Sequence, residues 1–268
     1  MTTSTATSSR AFPAGTFTPN PRPAPLLSML TAQTRLELTL LLRNGEQLLL
    51  TMFIPITLLI GLCLLPLDTD LGSSNAERSA TFVPAILTVA VMSTAFTGQA
   101  IAVGFDRRYG ALKRLGATPI PRWGIIAGKS LAVVIVVIAQ ALILGVIGIA
   151  FGWRPEPAGL LIGAVGIAIG TAAFCAMGLL LGGTLKAEIV LALANLLWFA
   201  MVGVGSLVVM TARIPTAVWW VARCVPSGAL TEALQRAAAG RIDLFGVVIL
   251  LAWAALAGTL AVRWFRFQ

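Results

Sequence analysis

The chain contains no histidine. The usual general base and the commonest metal ligand are therefore missing together, and hydrolytic or metal-centred chemistry loses its ordinary residues. Cysteine is scarce: Cys63, Cys175 and Cys224 form an odd set with no Cys-x-x-Cys spacing, so neither a zinc site nor a redox pair is supported. Charge is the third deficit. Only 11% of the 268 residues are Asp, Glu, Lys or Arg, where a water-soluble domain carries about 25%. A chain that is 58% hydrophobic cannot cover a water-facing surface, so lipid is the solvent for most of it. The net charge of +9 does not indicate nucleic acid. The basic residues fall between apolar runs, as topology in a membrane requires, and no soluble basic domain gathers them.

A nucleotide site is missing as well. Gly124 and Gly128 precede Lys129 and Ser130, but three residues separate the glycines where a phosphate loop needs four. Trp123 stands where the first glycine belongs, and the segment runs into an apolar stretch. Nor does Gly203-Val204-Gly205-Ser206 have the spacing of a nucleophile elbow. The chain is expected to be no enzyme, with no catalytic residue, metal or cofactor of its own.

What is present is a series of six apolar runs, at about 48–67, 81–103, 125–151, 158–181, 189–210 and 245–262. A helix rises about 1.5 Å per residue, so about 20 residues cross a hydrocarbon core of about 30 Å. The expectation is an all-α membrane protein with six transmembrane helices, an N-terminal interfacial amphipathic helix and a short outer helix before the last span. Residues 1–25, rich in Ser, Thr and Pro, lack an apolar core and are expected to be a disordered cytosolic tail. Residues 26–268 then form one membrane domain without an apparent internal repeat. Within 26–45, Ser28, Thr31, Arg35, Thr39 and Arg43 share a stripe opposite Leu26, Met29, Leu30, Leu36, Leu40 and Leu41. That pattern suits a helix lying in the interface or an early start to the first span; Gln33, Glu37 and Asn44 interrupt its apolar face.

Inside the spans the polar residues read as Thr94, Thr97, Gln99, Gln140, Thr171 and Asn195, none of them ionisable. Coupling to an ion gradient is disfavoured on that count. Thr94, Thr97, Gln99 and Asn195 are candidates to line a substrate path, with helix–helix hydrogen bonding the competing explanation for the amides. Glycines four apart, such as Gly159 and Gly163 or Gly178 and Gly182, predict close helix approach.

The strongly charged segment between apolar runs is Phe105–Lys129, with Arg107, Arg108, Lys113, Arg114, Arg122 and Lys129 against Asp106. With both termini inside, thirteen basic residues face the cytosol and six face out, which sets the expected orientation. The segment predicts a helix from Arg107 to Leu115 ending at Thr118-Pro119. Leu112 and Leu115 would offer apolar contact, and the basic residues charge, to a partner groove or to anionic headgroups. In the last outer segment, Leu230, Ala233, Leu234 and Ala237 share one helical face, Glu232 and Arg236 pair at i and i+4, and Gly240 is a stop. A half-buried helix at the outer leaflet and an ordinary surface helix both fit.

Taken in order, these parts resemble the ABC-2 family of transporter membrane subunits, over roughly residues 26–268. The family's loop after span two carries an acid-and-arginine cluster, then Gly-x-Leu-Lys-Arg-Leu, then Thr-Pro. Here these are Asp106, Arg107, Arg108, Gly110, Leu112, Lys113, Arg114, Leu115, Thr118 and Pro119. Its outer segment is matched by Pro226, Glu232, Ala233, Leu234 and Arg236. Arg108 replaces the second acid common in that cluster, and Ala229 stands where an aromatic or histidine is often found. The resemblance implies a plasma (inner) membrane protein, multi-pass with both termini cytosolic, whose loop docks on a separate ATP-binding-cassette ATPase subunit. It further implies a second permease subunit, ATP and Mg on the partner only, no nucleic acid, and outward movement of an amphipathic substrate. In size the chain is similar to actinobacterial antibiotic and drug exporters; other members export lipids or polysaccharides. A stand-alone secondary transporter or channel and a non-transporting immunity protein are the rival classes.

Overall fold

The computed structural model describes residues 24–65, 74–118, 120–210 and 214–265. Its axis is the helix running from Asn75 to Arg108, the most buried of the long helices. This helix comprises α3 (Asn75–Met92), a π-helical turn (Ser93–Gly98) and α4 (Gln99–Arg108). At about 1.5 Å per residue its 34 residues span about 51 Å, well beyond a hydrocarbon core. The sequence reading placed its start after Ala80, yet Ser74 caps it: the Glu77 amide donates to Ser74 Oγ at 3.2 Å and the Ser74 amide to Glu77 Oε2 at 3.3 Å. This reciprocal cap lets a helix begin among polar residues, so the charged stretch was not all linker.

Around the axis stand α1 (Leu26–Arg43), α2 (Gly45–Leu64), α5 (Ala111–Leu115), α6 (Arg122–Ala150), α7 (Pro157–Thr184) and α8 (Ala187–Val209). Then follow α9 (Thr216–Cys224), α10 (Pro226–Ala238) and α11 (Leu244–Trp264). No strand occurs among the described residues. Among the described residues, five helices are long and apolar enough to cross a membrane, and Thr51–Leu64 of α2 is a shorter apolar helix. The expected tail at 1–25 lies almost wholly outside the described residues.

Glycines set the spacing where α7 meets the axis. A Cβ at Gly178 would approach the Phe96 carbonyl to 2.8 Å, and one at Gly182 would strike the Ala100 carbonyl. Helices this close gain packing that lipid cannot supply.

Burial sorts the faces of α1, which the pattern left open, and corrects the reading of α10. Helix α1 presents its interrupted face to the protein: Gln33 and Glu37 are buried, with Gln33 lying over Gly128 of α6, while Leu26, Leu36 and Leu40 are exposed. In lipid the apolar side is the outer one, so the polar residues mark the docked face. Helix α10 is neither half-buried nor on the surface. Pro226 through Leu234 are buried, and Ala229, Leu230 and Leu234 join the main core. Its end is as expected: Gly240 takes φ +68°, its amide donates to Ala237 at 2.8 Å, and the Arg241 amide donates to Arg236 at 2.9 Å.

Candidate coupling elbow and polar groove

The elbow is built by a glycine. Helix α4 stops after Arg108, and Gly110, at φ 70°, turns the chain left-handed into α5. A side chain is costly in that conformation. The single helix expected from Arg107 to Leu115 is therefore two helices with a bend. Leu112 is 1% exposed and packs with Val103, Ile125 and Leu179. It pins α5 to the bundle rather than facing outward.

The acid-and-arginine cluster is engaged within the chain. Arg107 donates to the carbonyls of Gly182 and Leu185, both at 3.0 Å, capping the end of α7. Arg108 pairs with Glu188 in the first turn of α8. Asp106 lies 2.6 Å from Lys129 Nζ, and Lys129 reaches Glu37 of α1 at 2.7 Å. Gln33 donates to the other Glu37 oxygen at 2.8 Å. One turn of α4 thus gathers α6, α7 and α8, and Lys129 carries the connection on to α1. Facing outward at the bend are Lys113, Arg114 and Thr118, while Leu115 is half-buried. Arg114 folds back to the Tyr109 carbonyl at 3.3 Å, and Thr118 donates to Leu115 at 2.6 Å. Pro119 lies outside the described residues.

Lys129 also corrects the reading that no ionisable residue enters the spans. It sits two turns inside α6 and is 6% exposed. Its charge is sustained by two carboxylates drawn from other helices. Glu37 and Glu188 were likewise missed as partners. The available signal was a lysine beyond the first turn of an otherwise apolar helix.

The four path candidates gather around the π-helical turn, a feature frequent at functional sites, but in two groups. Thr97 and Asn195 line a cavity of about 430 Å³ between α2, the π-helical turn and α8, together with Thr51, Ser93 and Trp198. Trp198 Nε1 donates to Ser93 Oγ at 2.9 Å across it, and Asn195 donates to Leu191 of its own helix at 2.9 Å. Thr94 and Gln99 instead line a cavity of about 40 Å³ with Glu37 and Lys129. Thr94 donates to Gln140 Oε1 at 3.0 Å, and Gln140 Nε2 donates to the Thr51 carbonyl at 2.9 Å, so Gln140 ties three helices together. Among the described residues, Thr97 Oγ1 and Gln99 Nε2 have no hydrogen-bond partner. Thr51 and Gly98 touch both cavities, which makes them neighbours.

A different charge cluster closes the opposite end. Arg223 is 1% exposed, donates to both Asp243 oxygens at 2.6 and 2.5 Å, and lies within 4.8–5.3 Å of the ring centroids of Trp219, Trp220 and Phe245. Arg236 donates Nε–H to Glu232 Oε1 at 2.6 Å, and this hydrogen bond to the carboxylate holds its guanidinium above the ordinary arginine range.

A family model described as ABC-2 family transporter protein matches residues 64–263. That stretch contains the elbow, the π-helical turn, α8 and the far-end cluster. No curated protein matches the chain.

Proposed function

This chain belongs to the ABC-2 family of transporter proteins, a membrane subunit of an ABC transporter, and from that premise we propose that it exports an amphipathic substrate, a drug, antibiotic or lipid, on ATP hydrolysed by a separate subunit. The observation that carries the reading is the division of labour at the elbow. Asp106, Arg107 and Arg108 are engaged with α6, α7 and α8, so Lys113, Arg114 and Thr118 are left as the outward face of a braced bend. A partner pressing on α5 would push on the ends of three spans at once. A small basic helix with an apolar shoulder at Leu115 suits a groove on an ATPase.

The cavity bearing Thr97 and Asn195 is the proposed path. It is open, mixed in polarity, and reached by α4 from the elbow. In this reading two such chains and two ATPases form the working unit, in the plasma membrane, with both termini and the elbow in the cytosol.

The test is co-purification of the chain from its native cells to see whether an ATP-binding-cassette ATPase associates, followed by ATPase and transport assays in proteoliposomes. Wild-type chain should retain the ATPase and transport only with ATP. Transport driven by a proton or sodium gradient without any ATPase would replace this reading with a secondary transporter.

A further inference from the structure

At the end of the bundle away from the elbow, a second cavity of about 430 Å³ lies between α6 and α7, backed by α3 and α10. It shares no residue with the groove of Thr97 and Asn195. All its lining residues are apolar, with Leu87, Trp153 and Leu234 at the back. A dry apolar cavity of about 150 Å³ already takes up a benzene-sized molecule, so this space holds a longer hydrocarbon.

The space is built by glycines that touch almost nothing. A Cβ at Gly163 would meet only Ala237 Cβ, at 3.9 Å, and one at Gly145 only the Trp153 ring, at 4.0 Å. One turn away on each helix the glycines do fix spacing: a Cβ at Gly159 would strike the Ala237 carbonyl, and one at Gly148 would lie 2.6 Å from Val83. The slot opens sideways, because Leu142, Val146 and Leu160 at its edge are more than half exposed. Above it runs the linker Trp153-Arg154-Pro155, in which Trp153 and Pro155 line the slot. Arg154 between them is exposed, and among the described residues no carboxylate pairs with it. Glu156, the nearest acid in sequence, packs against Gly240 instead.

We propose that this slot binds one phospholipid from the leaflet opposite the elbow, with an acyl chain between α6 and α7 and its phosphate at Arg154. The pairing of a hydrocarbon slot with one free cation at its mouth is the amphipathic pattern of that ligand. The lipid is a bound component rather than cargo, because the slot is separate from the proposed path.

Native mass spectrometry of the purified full-length chain, titrated with palmitoyl-oleoyl phosphatidylglycerol, tests this. One adduct should survive activation that strips the rest. Gly163→Leu and Gly145→Leu, which fill the slot from opposite helices, should each weaken it about tenfold. Arg154→Gln should weaken it about fivefold, the worth of one basic residue at a headgroup. Leu251→Ala, on the exposed side of α11, should leave it unchanged. Thermal melts identify folded variants, and either glycine variant suffices. An adduct undiminished in a folded slot-filling variant overturns the proposal, as does an equal loss in Leu251→Ala. A chain dimer lost in the glycine variants, with lipid retained, would assign the slot to a second copy and overturn it too.

Discussion

The two ends of the bundle both bury charge, and they do so in opposite ways. At the far end, Arg223 and Asp243 are 20 residues apart, each with a side chain 2% exposed, enclosed by three aromatic rings. At the elbow, Lys129 reaches Glu37, 92 residues away, and Asp106, whose side chain is 33% exposed. The first cluster is local, sealed and almost charge-balanced. The second joins distant helices, carries one more acid than base, and opens toward the exposed bend. A sealed pair stiffens one end, whereas a half-open network spanning α1, α4 and α6 lets a push on α5 be felt in several helices. The far end thus has the chemistry of a clasp, and the elbow that of a joint.

Breaking the clasp should cost most. Arg223→Ala leaves Asp243 buried without a full partner, and removing one member of a buried pair costs about 3–5 kcal/mol. Thermal unfolding in detergent should show a large fall in midpoint, and Arg223→Met with Asp243→Leu should recover much of it. If the double variant were no better than the single, the aromatic contacts rather than the ion pair would be the clasp. At the joint, Lys129→Met leaves two carboxylates unmatched, but water reaches Asp106, so about 2–3 kcal/mol is expected. Adding Glu37→Gln should restore part of that loss. Recovery from Glu37→Gln alone, and none from Asp106→Asn, would place the strain on the α1 side. Smaller again is Arg107→Ala, which frees two carbonyls at the end of α7 and should cost about 1 kcal/mol. Hydrogen exchange confined to residues near Leu185 would confirm that the loss is local.

How much of this was legible follows from what apolar runs report. The last three spans were read to within three residues of α7, α8 and α11, because glycine, proline or charge flanks them. The second span was not, since a charged residue was read as the end of a helix. The axis instead carries Glu77 near one end and Asp106 near the other, so the helix outruns the apolar run that marked it. Lys129 was lost for the same reason: it was counted with the loop, although its neighbours from Ile125 onward are helical and apolar. The docked face of α1 could not be read, because amphipathicity shows two faces but not which one meets lipid. Helix α10 reads as half-buried or on the surface because Glu232 and Arg236 mark a polar face, and Ser227 and Thr231 are polar too. Ser227, Thr231 and Glu232 are buried, two of them with hydrogen bonds that no one-dimensional pattern reveals: Thr231 donates to the Ser227 carbonyl at 2.9 Å, and Glu232 accepts from Arg236. In the elbow motif itself, the destinations of the side chains were hidden. Sequence placed Arg107, Arg108, Lys113 and Arg114 together; only the fold separates the two that brace from the two that face out.

That separation gives the prediction with the smallest effect on stability and the sharpest effect on function. Lys113→Glu with Arg114→Glu reverses charge on exposed side chains that make no ion pair among the described residues, so the melting midpoint should not move. If the bend is a docking face, the same change places acids where a partner expects bases, and like charges across an interface cost enough to suppress association. Retained ATPase in a pull-down should fall about tenfold or more, and the loss should deepen at low salt, where screening is weakest. Arg107→Ala is the control that makes the comparison decisive. It disturbs the brace but not the outward charge, so it should lower stability while retaining the ATPase. The opposite result, an unchanged pull-down for the glutamate pair and a lost one for Arg107→Ala, would mean that the partner reads the shape of the bend rather than its charge.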